Sequence, residues 1–432
     1  MANSWLKYLL FFMVSPIGCQ PLPPAPLPPT AEPQATITPA PAGHLAYIGG
    51  DGNIYVVPAD LSQKIAVTQD ATAPWEGMGR SYQRLAWAPD GHLAYAAVSR
   101  AGDRATSKLY VAESPTGPAR LVGESEAHFV IYIYWSPVPC QPGGTCRRLA
   151  YLIEDQAEIS LRLVSLVDGQ VANDIIGFGW PYYFSWAPDG RSMLWHTGGG
   201  EVGRSPAQLA LYHLESGRTE PLAHPPAAFL APAWSPQTPL WLGAIRQAGT
   251  AYLQIMGQAE PVRLAALTGA ATFAWSPDGR FIAFAMDRRT PGLVYGPIHL
   301  YDTRTGRTSR LTAVGHQILA FFWDPTGQRL AYLTHLALPE TERMQWRVYD
   351  VAPGQDRGFK TFRPSLQMKF IMASFNQYAQ SHRFWSPDGR YLVYADRDNR
   401  AEERVWLIDT RSEDGYNARL VDKGTMGFWS WQ

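Results

Sequence analysis

Charge is scarce in this sequence. Only 17% of its 432 residues are Asp, Glu, Lys or Arg, and 37 basic residues stand against 37 acidic ones. Nucleic-acid binders draw their affinity from a basic footprint on phosphate, so that class is excluded. Long apolar runs are missing too. The one apolar stretch, Tyr8 to Val14, is far below the roughly 20 residues that cross a bilayer, which excludes a multi-span membrane protein. Enzyme signatures are equally sparse, with no G-x-S-x-G, H-E-x-x-H, Walker loop or dinucleotide fingerprint. The acidic run at Asp396, DRDNRAEE, lacks the glycine and spacing of an EF-hand.

What is abundant points to β structure. Aromatic residues make up 12% of the chain, apolar ones 46%, and 38 glycines accompany 36 prolines. That mixture suits many short strands and tight turns, and its apolar fraction is ample for a large core.

One short string recurs along the chain. WAPDG begins at Trp87 and Trp186, WSPDG at Trp275 and Trp385, WDPTG at Trp323, and the degenerate WSPVP and WSPQT at Trp135 and Trp234, at intervals of 41 to 62 residues. That period is the length of a four-stranded propeller blade. Each unit repeats one grammar, clearest from Ala271 onward. A strand, ATFAWS, meets the turn Pro277-Asp278-Gly279, where proline presets φ and glycine takes the left-handed position. A buried strand, RFIAFAM, a third strand, IHLYDTRTG, and a short outer strand, TSRLTAV, follow. The repeat tryptophans read as packing between neighbouring sheets.

Strand counting predicts the ends. HLAYIGG, NIYVVPAD and KIAVTQD after His44 are second, third and fourth strands with no first, and the terminal GTMGFWSWQ offers a first strand whose repeat tryptophan is read as Trp431. The two ends are expected to pair, giving an all-β propeller of residues 44–432 with eight four-stranded blades, or seven if the Trp135 or Trp234 unit is an insertion.

The W-S-P-D-G-R-x-L-A-F repeat resembles that of TolB-type propellers over essentially all of residues 44–432. That resemblance implies the fold. Its members include periplasmic scaffolds that bind envelope lipoproteins, propeller lids of prolyl-oligopeptidase-like hydrolases, and oligogalacturonide lyases, so kinship alone selects no activity. No α/β-hydrolase domain is expected after the propeller.

Residues 1–19, MANSWLKYLLFFMVSPIGC, read as an export signal. They resemble a bacterial lipoprotein signal, with Gly18 before Cys19, although Pro16 stands where that family carries an aliphatic residue. The resemblance implies lipidation of Cys19 and attachment to a membrane; the alternative is a simple secretory signal. Residues 20–43 alternate proline with small residues and read as an extended tether. In CQPGGTC, Cys140 and Cys146 can close a disulfide across a turn; the other reading, half of a metal site, lacks a second pair and a nearby histidine.

Loops between second and third strands, such as SRAGDRATS, THLALPETERM and DRDNRAEER, are long and polar, and they share one rim with the segments entering each first strand. That rim is the expected functional face. One segment there is exceptional, PSLQMKFIMASFNQYAQS. Ser365 is a fitting N-cap, and Leu366, Phe370, Ala373 and Phe375 follow helical spacing, so a helix near 365–380 is expected over the mouth, presenting Gln367, Lys369, Asn376 and Gln377. The other reading is a plug that seals the mouth.

The first strands open with His128, with Trp180, Tyr182 and Tyr183, with His316 and Gln317, and with His382 and Arg383. Aromatic groups there can stack on sugars or hold a peptide. Convergence of His128, His316 and His382 would make a metal or proton-transfer cluster; solitary packing histidines are the alternative. No cofactor is implied. The function expected is a monomeric scaffold in the cell envelope that binds an envelope protein or a polysaccharide, with a lyase-type carbohydrate enzyme as the alternative.

Overall fold

The computed structural model describes residues 43–72, 79–126, 129–140, 144–155, 158–199, 205–286, 294–338, 341–412 and 418–432. The export signal, Cys19, the tether and His128 lie outside the described residues.

The repeat turn shows why each unit folds as it does. After Trp275, Ser276 N–H donates to the Phe281 carbonyl and Gly279 N–H to the Ser276 carbonyl, while the Arg280 amide donates to the Asp278 carboxylate. Gly279 has φ +68°, a conformation that a β-carbon would strain. The turn delivers the apolar strand Phe281–Met286 into the core, where all but its last residue are buried. With His299–Asp302 and Arg307–Arg310 it completes an antiparallel four-stranded blade.

Six such four-stranded sheets and one six-stranded sheet are formed by the described residues, building a single all-β propeller. Counted as separate sheets, the blades number seven, the alternative count; the expected eighth is not a separate sheet. The reason lies in the strand Ala418–Trp429. Its first half, Ala418 to Lys423, pairs with Glu403–Asp409, and its second half, Gly424 to Trp429, pairs with His44–Gly49. One continuous strand thus fuses what two turns would have separated.

Successive sheets are tied by the repeat tryptophans. Indole N–H groups of Trp135, Trp186, Trp275, Trp323 and Trp385 donate at 3.0–3.4 Å to the carbonyls of Ala86, Tyr134, Ala233, Ala274 and Phe322. Each acceptor is the residue just before the preceding repeat tryptophan. Trp87 donates to Phe428 O at 3.1 Å by the same rule. The residue after Phe428 is Trp429, so Trp429, not Trp431, holds the repeat position at the C-terminal end. Register with His44–Gly49 decides this, since Leu45 faces Trp429. Trp234 and Trp429 have buried indole nitrogens without a partner among the described residues.

The second-to-third-strand connections are more strand-like than expected. In SRAGDRATS the strands Leu93–Ala101 and Arg104–Ala112 run to within two residues of each other, and Arg329–Leu338 and Thr341–Asp350 leave a similarly short tip. At these two connections the rim carries hairpins rather than open loops. At the first-to-second-strand turn, Cys140 and Cys146 form a disulfide with 5.3 Å between their Cα atoms.

The insertion forms two short helices, α1 (Leu366–Ala373) and α2 (Phe375–Ser381), instead of one. Ser365 caps α1, accepting from Met368 N–H at 3.1 Å and donating to Thr425 O at 2.6 Å. The buried face of α1 is Met368, Ile371 and Met372. Leu366 and Phe370, two of the residues at helical spacing, are 62% and 40% exposed. No helix among the described residues is long and apolar enough to cross a membrane.

Candidate functional site

Inner strands of a propeller are sheet edges. Their outward neighbours pair on one side only, and the N–H and C=O groups on the other side point into the central channel, where they need partners. α2 supplies them. It packs against the inner strands Val130–Trp135, Tyr182–Trp186, Ala271–Trp275 and Ile318–Trp323, so it fills the channel.

Gln377 is the centre of this arrangement. Its amide oxygen accepts from Phe184 N–H at 3.0 Å and its amide nitrogen donates to Phe184 O at 2.6 Å, both buried. A primary amide can present one of its N–H donors beside its carbonyl acceptor as a peptide does, so Gln377 imitates a strand residue against the Tyr182–Trp186 edge. Gln380 extends the seal, donating to Pro232 O at 2.9 Å and accepting from Ser185 Oγ at 2.5 Å. Phe375 and Tyr378 pack among Phe321, Phe322, Tyr132 and Phe428. Asn376 is buried with neither amide atom satisfied. The insertion is thus a plug, and Asn376 and Gln377 are not the available polar groups expected of them.

Below α2, Tyr132 Oη donates to Ser381 Oγ at 2.5 Å, and Ser381 Oγ lies 2.6 Å from His382 Nδ1. His382 Nε2 lies 3.0 Å from Leu85 O. A carbonyl can only accept, so Nε2 carries the proton and Nδ1 accepts from the serine. Burial pushes the His382 pKa down to about 3, outweighing the Leu85 hydrogen bond that raises it. A Tyr–Ser–His chain resembles an activated nucleophile, but the gap bounded by His382, Arg84, Gln367 and Tyr378 is only about 10 Å³, room for one water at most. No substrate can reach it in this form.

The remaining expected residues separate. Gln367 accepts from Arg84 Nη1 at 3.1 Å, and the Arg84 guanidinium lies over the Phe370 ring at 4.5 Å. Lys369 is half-buried on α1. Trp180 is 41% exposed, whereas Tyr182 is buried edge-on against Trp195 on the neighbouring strand of the same blade, a packing contact within one sheet. Tyr183 tilts against His196, which stacks on Phe229. His316 lies against Tyr332, and the Gln317 side chain meets His335 Nδ1 at 3.0 Å. Arg383 stacks on Trp431. Of the three histidines His128 lies outside the described residues, His316 lies against Tyr332 and His382 is locked to Leu85 and Ser381; no three His, Cys, Asp or Glu side chains among the described residues are grouped to hold a metal ion. Arg84, Tyr132, Ser381 and Gln380 were missed. Arg84 carried a usable signal, since QRLAW opens a first strand with the same polar residue that drew attention elsewhere.

Away from the mouth, a groove of about 580 Å³ beside the disulfide turn is lined by His92, Arg120, Arg147 and Asp168. Asp90 holds both His92 and Arg147 there, and those partners keep its carboxyl well below the usual range despite partial burial.

No family model and no curated protein matches the chain. Solved structures do. A prolyl endopeptidase structure matches 79% of this chain and 49% of its own at 11% identity with a TM-score of 0.52. The chain is a β-propeller. This propeller is also similar to TolB from Acinetobacter baumannii, at 17% identity over 78% of this chain and 79% of that one with a TM-score of 0.40. An oligogalacturonate lyase from Vibrio parahaemolyticus is similar at 13% identity over 73% and 82%, with a TM-score of 0.45. At these identities the likeness concerns the fold alone.

Proposed function

We propose that this propeller is an exported, lipid-anchored scaffold of the bacterial cell envelope, binding a protein or polymer through the rim that carries α1 and the hairpins. The observation that carries the reading is the plug. Gln377 and Gln380 satisfy channel-facing backbone, His382 is held neutral, and the outer surface left at the mouth is Leu366, Phe370 and the Arg84 guanidinium. Exposed apolar side chains beside a cation favour recognition over catalysis. The lyase-type alternative needs an open mouth with titratable groups, which this plug does not offer. The disulfide supports an oxidising compartment, and the leader with Cys19 supports export and anchoring.

The same proposal takes the six-stranded sheet as two wedges sharing Ala418–Trp429, so that eight wedges stand around the axis and the chain ends close the ring. Its support is the indole rule, which runs from Trp135 to Trp87 and from Trp87 to the residue before Trp429.

A photo-crosslinking residue at Phe370, in cells carrying the anchored protein, tests the reading. A discrete adduct at that position, reduced by L366S and absent when the crosslinker replaces Leu420 on the outer strand, is expected. Equal adduct yields at both positions, or none at Phe370, would refute it. Replacement of Cys19 by serine should abolish fatty-acid labelling.

A further inference from the structure

Arg383 is a cation without an anion. It sits two residues before the repeat Trp385, on an inner strand segment whose carbonyl accepts from Trp429 N–H at 2.9 Å. Its guanidinium lies over the Trp431 ring, 3.7 Å from the centroid. Trp431 is itself pinned, donating from its indole to Trp87 O at 3.1 Å. The ionisable side chain that the Arg383 charge reaches is Tyr134, on the inner strand Val130–Trp135. That strand belongs to a different sheet, and Ala418–Trp429 and Gly79–Trp87 provide inner strands between the two in chain-end order. Trp431 lies at the turn after Trp87, where Gln432 Nε2 donates to Pro89 O at 2.9 Å, and these first-to-second-strand turns stand on the face opposite the rim.

Among the described residues, no carboxylate pairs with Arg383, and neither its guanidinium nor the Tyr134 hydroxyl makes a hydrogen bond. Tyr134 is nearly buried and Arg383 half-buried, so both retain a little solvent contact rather than being sealed. Burial lowers the Arg383 pKa to about 10, which leaves it charged at neutral pH. An arginine held this way, with one face on an indole and its donor edge unsatisfied, is preorganised for a planar, two-oxygen acceptor.

We propose that Arg383, Tyr134 and Trp431 form a binding site for a carboxylate group in the channel, on the side of the plug opposite the rim. The guanidinium donates two parallel hydrogen bonds to the carboxylate oxygens, the tyrosine hydroxyl adds a third, and Trp431 fixes the plane. A ligand would present this group at a chain end or as a small acid. The site is separate from the rim proposed for partner binding and stands or falls independently of it.

Calorimetric melts of the whole protein in acetate, inorganic phosphate and chloride, matched for ionic strength, test the site. Acetate should raise the melting midpoint in a saturable, concentration-dependent way relative to chloride. R383Q should weaken the apparent acetate affinity at least about tenfold. R383K, which keeps the charge and loses the planar fork, should fall between them, and Y134F, which removes one hydroxyl, provides a variant that keeps the fold. Equal acetate effects on the wild type and R383Q, no acetate effect at all, or a phosphate effect without an acetate effect would each overturn the assignment.

Discussion

Gln377 allows the plug to be tested quantitatively. In Gln377→Leu the side chain keeps its approximate size but loses both hydrogen bonds, leaving Phe184 N–H and C=O facing a buried apolar group. An orphaned buried donor or acceptor costs about 1–3 kcal/mol, so the pair should cost about 3 kcal/mol, allowing for some water entry. Entropy of unfolding near 2.1 cal/mol/K per residue over a body of roughly 390 residues, Ala40–Gln432, gives about 0.8 kcal/mol/K, so the midpoint should fall by about 4 °C. Gln367→Ala removes one half-exposed contact to Arg84 and should move it by less than about 1 °C. Amide hydrogen exchange gives a local readout. Phe184 N–H should exchange much faster in Gln377→Leu, while amides in the central strand Ser192–Thr197 stay protected. An unchanged midpoint together with a still-protected Phe184 amide would refute the account of Gln377 as the partner of that strand edge.

His382 should remain neutral throughout the range in which free histidine titrates, so its imidazole NMR resonances should not shift between pH 5 and 8. Because its folded pKa of about 3 lies below the unfolded value of 6.5, the unfolded chain binds more protons in that window; stability should be full above pH 6.5 and decline toward pH 3, by at most about 1.4 kcal/mol per pH unit from this group, as denaturant midpoints would show. Replacing Trp135 by phenylalanine leaves Ala86 O without its indole donor, whereas the Trp234 indole has no partner among the described residues, so W135F should be less stable than W234F by about 1 kcal/mol in urea unfolding. Cys140→Ser should cost about 2 kcal/mol, the modest value for so short a closed loop, and added reductant should lower the wild-type midpoint to match.

The repeat was legible because its chemistry is local. Trp-Ser-Pro-Asp-Gly specifies a turn through residues adjacent in the chain, and Ser276, Asp278 and Gly279 make the bonds that this string requires. What was misread depends on distant partners. Gln377 looks available in a polar stretch, but its partner lies 193 residues away on another sheet. Helical spacing of Leu366 and Phe370 did not reveal which face of α1 turns inward, because the Ser365 cap and the packing below place Met368, Ile371 and Met372 there. Trp429 and Trp431 are two apart and point to the same side of an ideal strand. Only pairing with His44–Gly49 distinguishes them. His316 and His382 both precede repeat tryptophans, but each is held by its own neighbours, Tyr332 for one and Leu85 with Ser381 for the other.

The pairing of Gly424 to Trp429 with His44–Gly49 also orders events in time. The strand His44–Gly49 acquires that neighbour only after the residues up to Trp429 have been made, and until then the edge bearing Leu45, Tyr47 and Ile48 is bare. A chain cut short by as little as its last dozen residues, or clipped there later, would keep most of its blades and still display an unpaired apolar edge of the kind that recruits other strands. Damage at one end of the molecule is thereby announced at the other, which makes truncated copies conspicuous to proteases and chaperones.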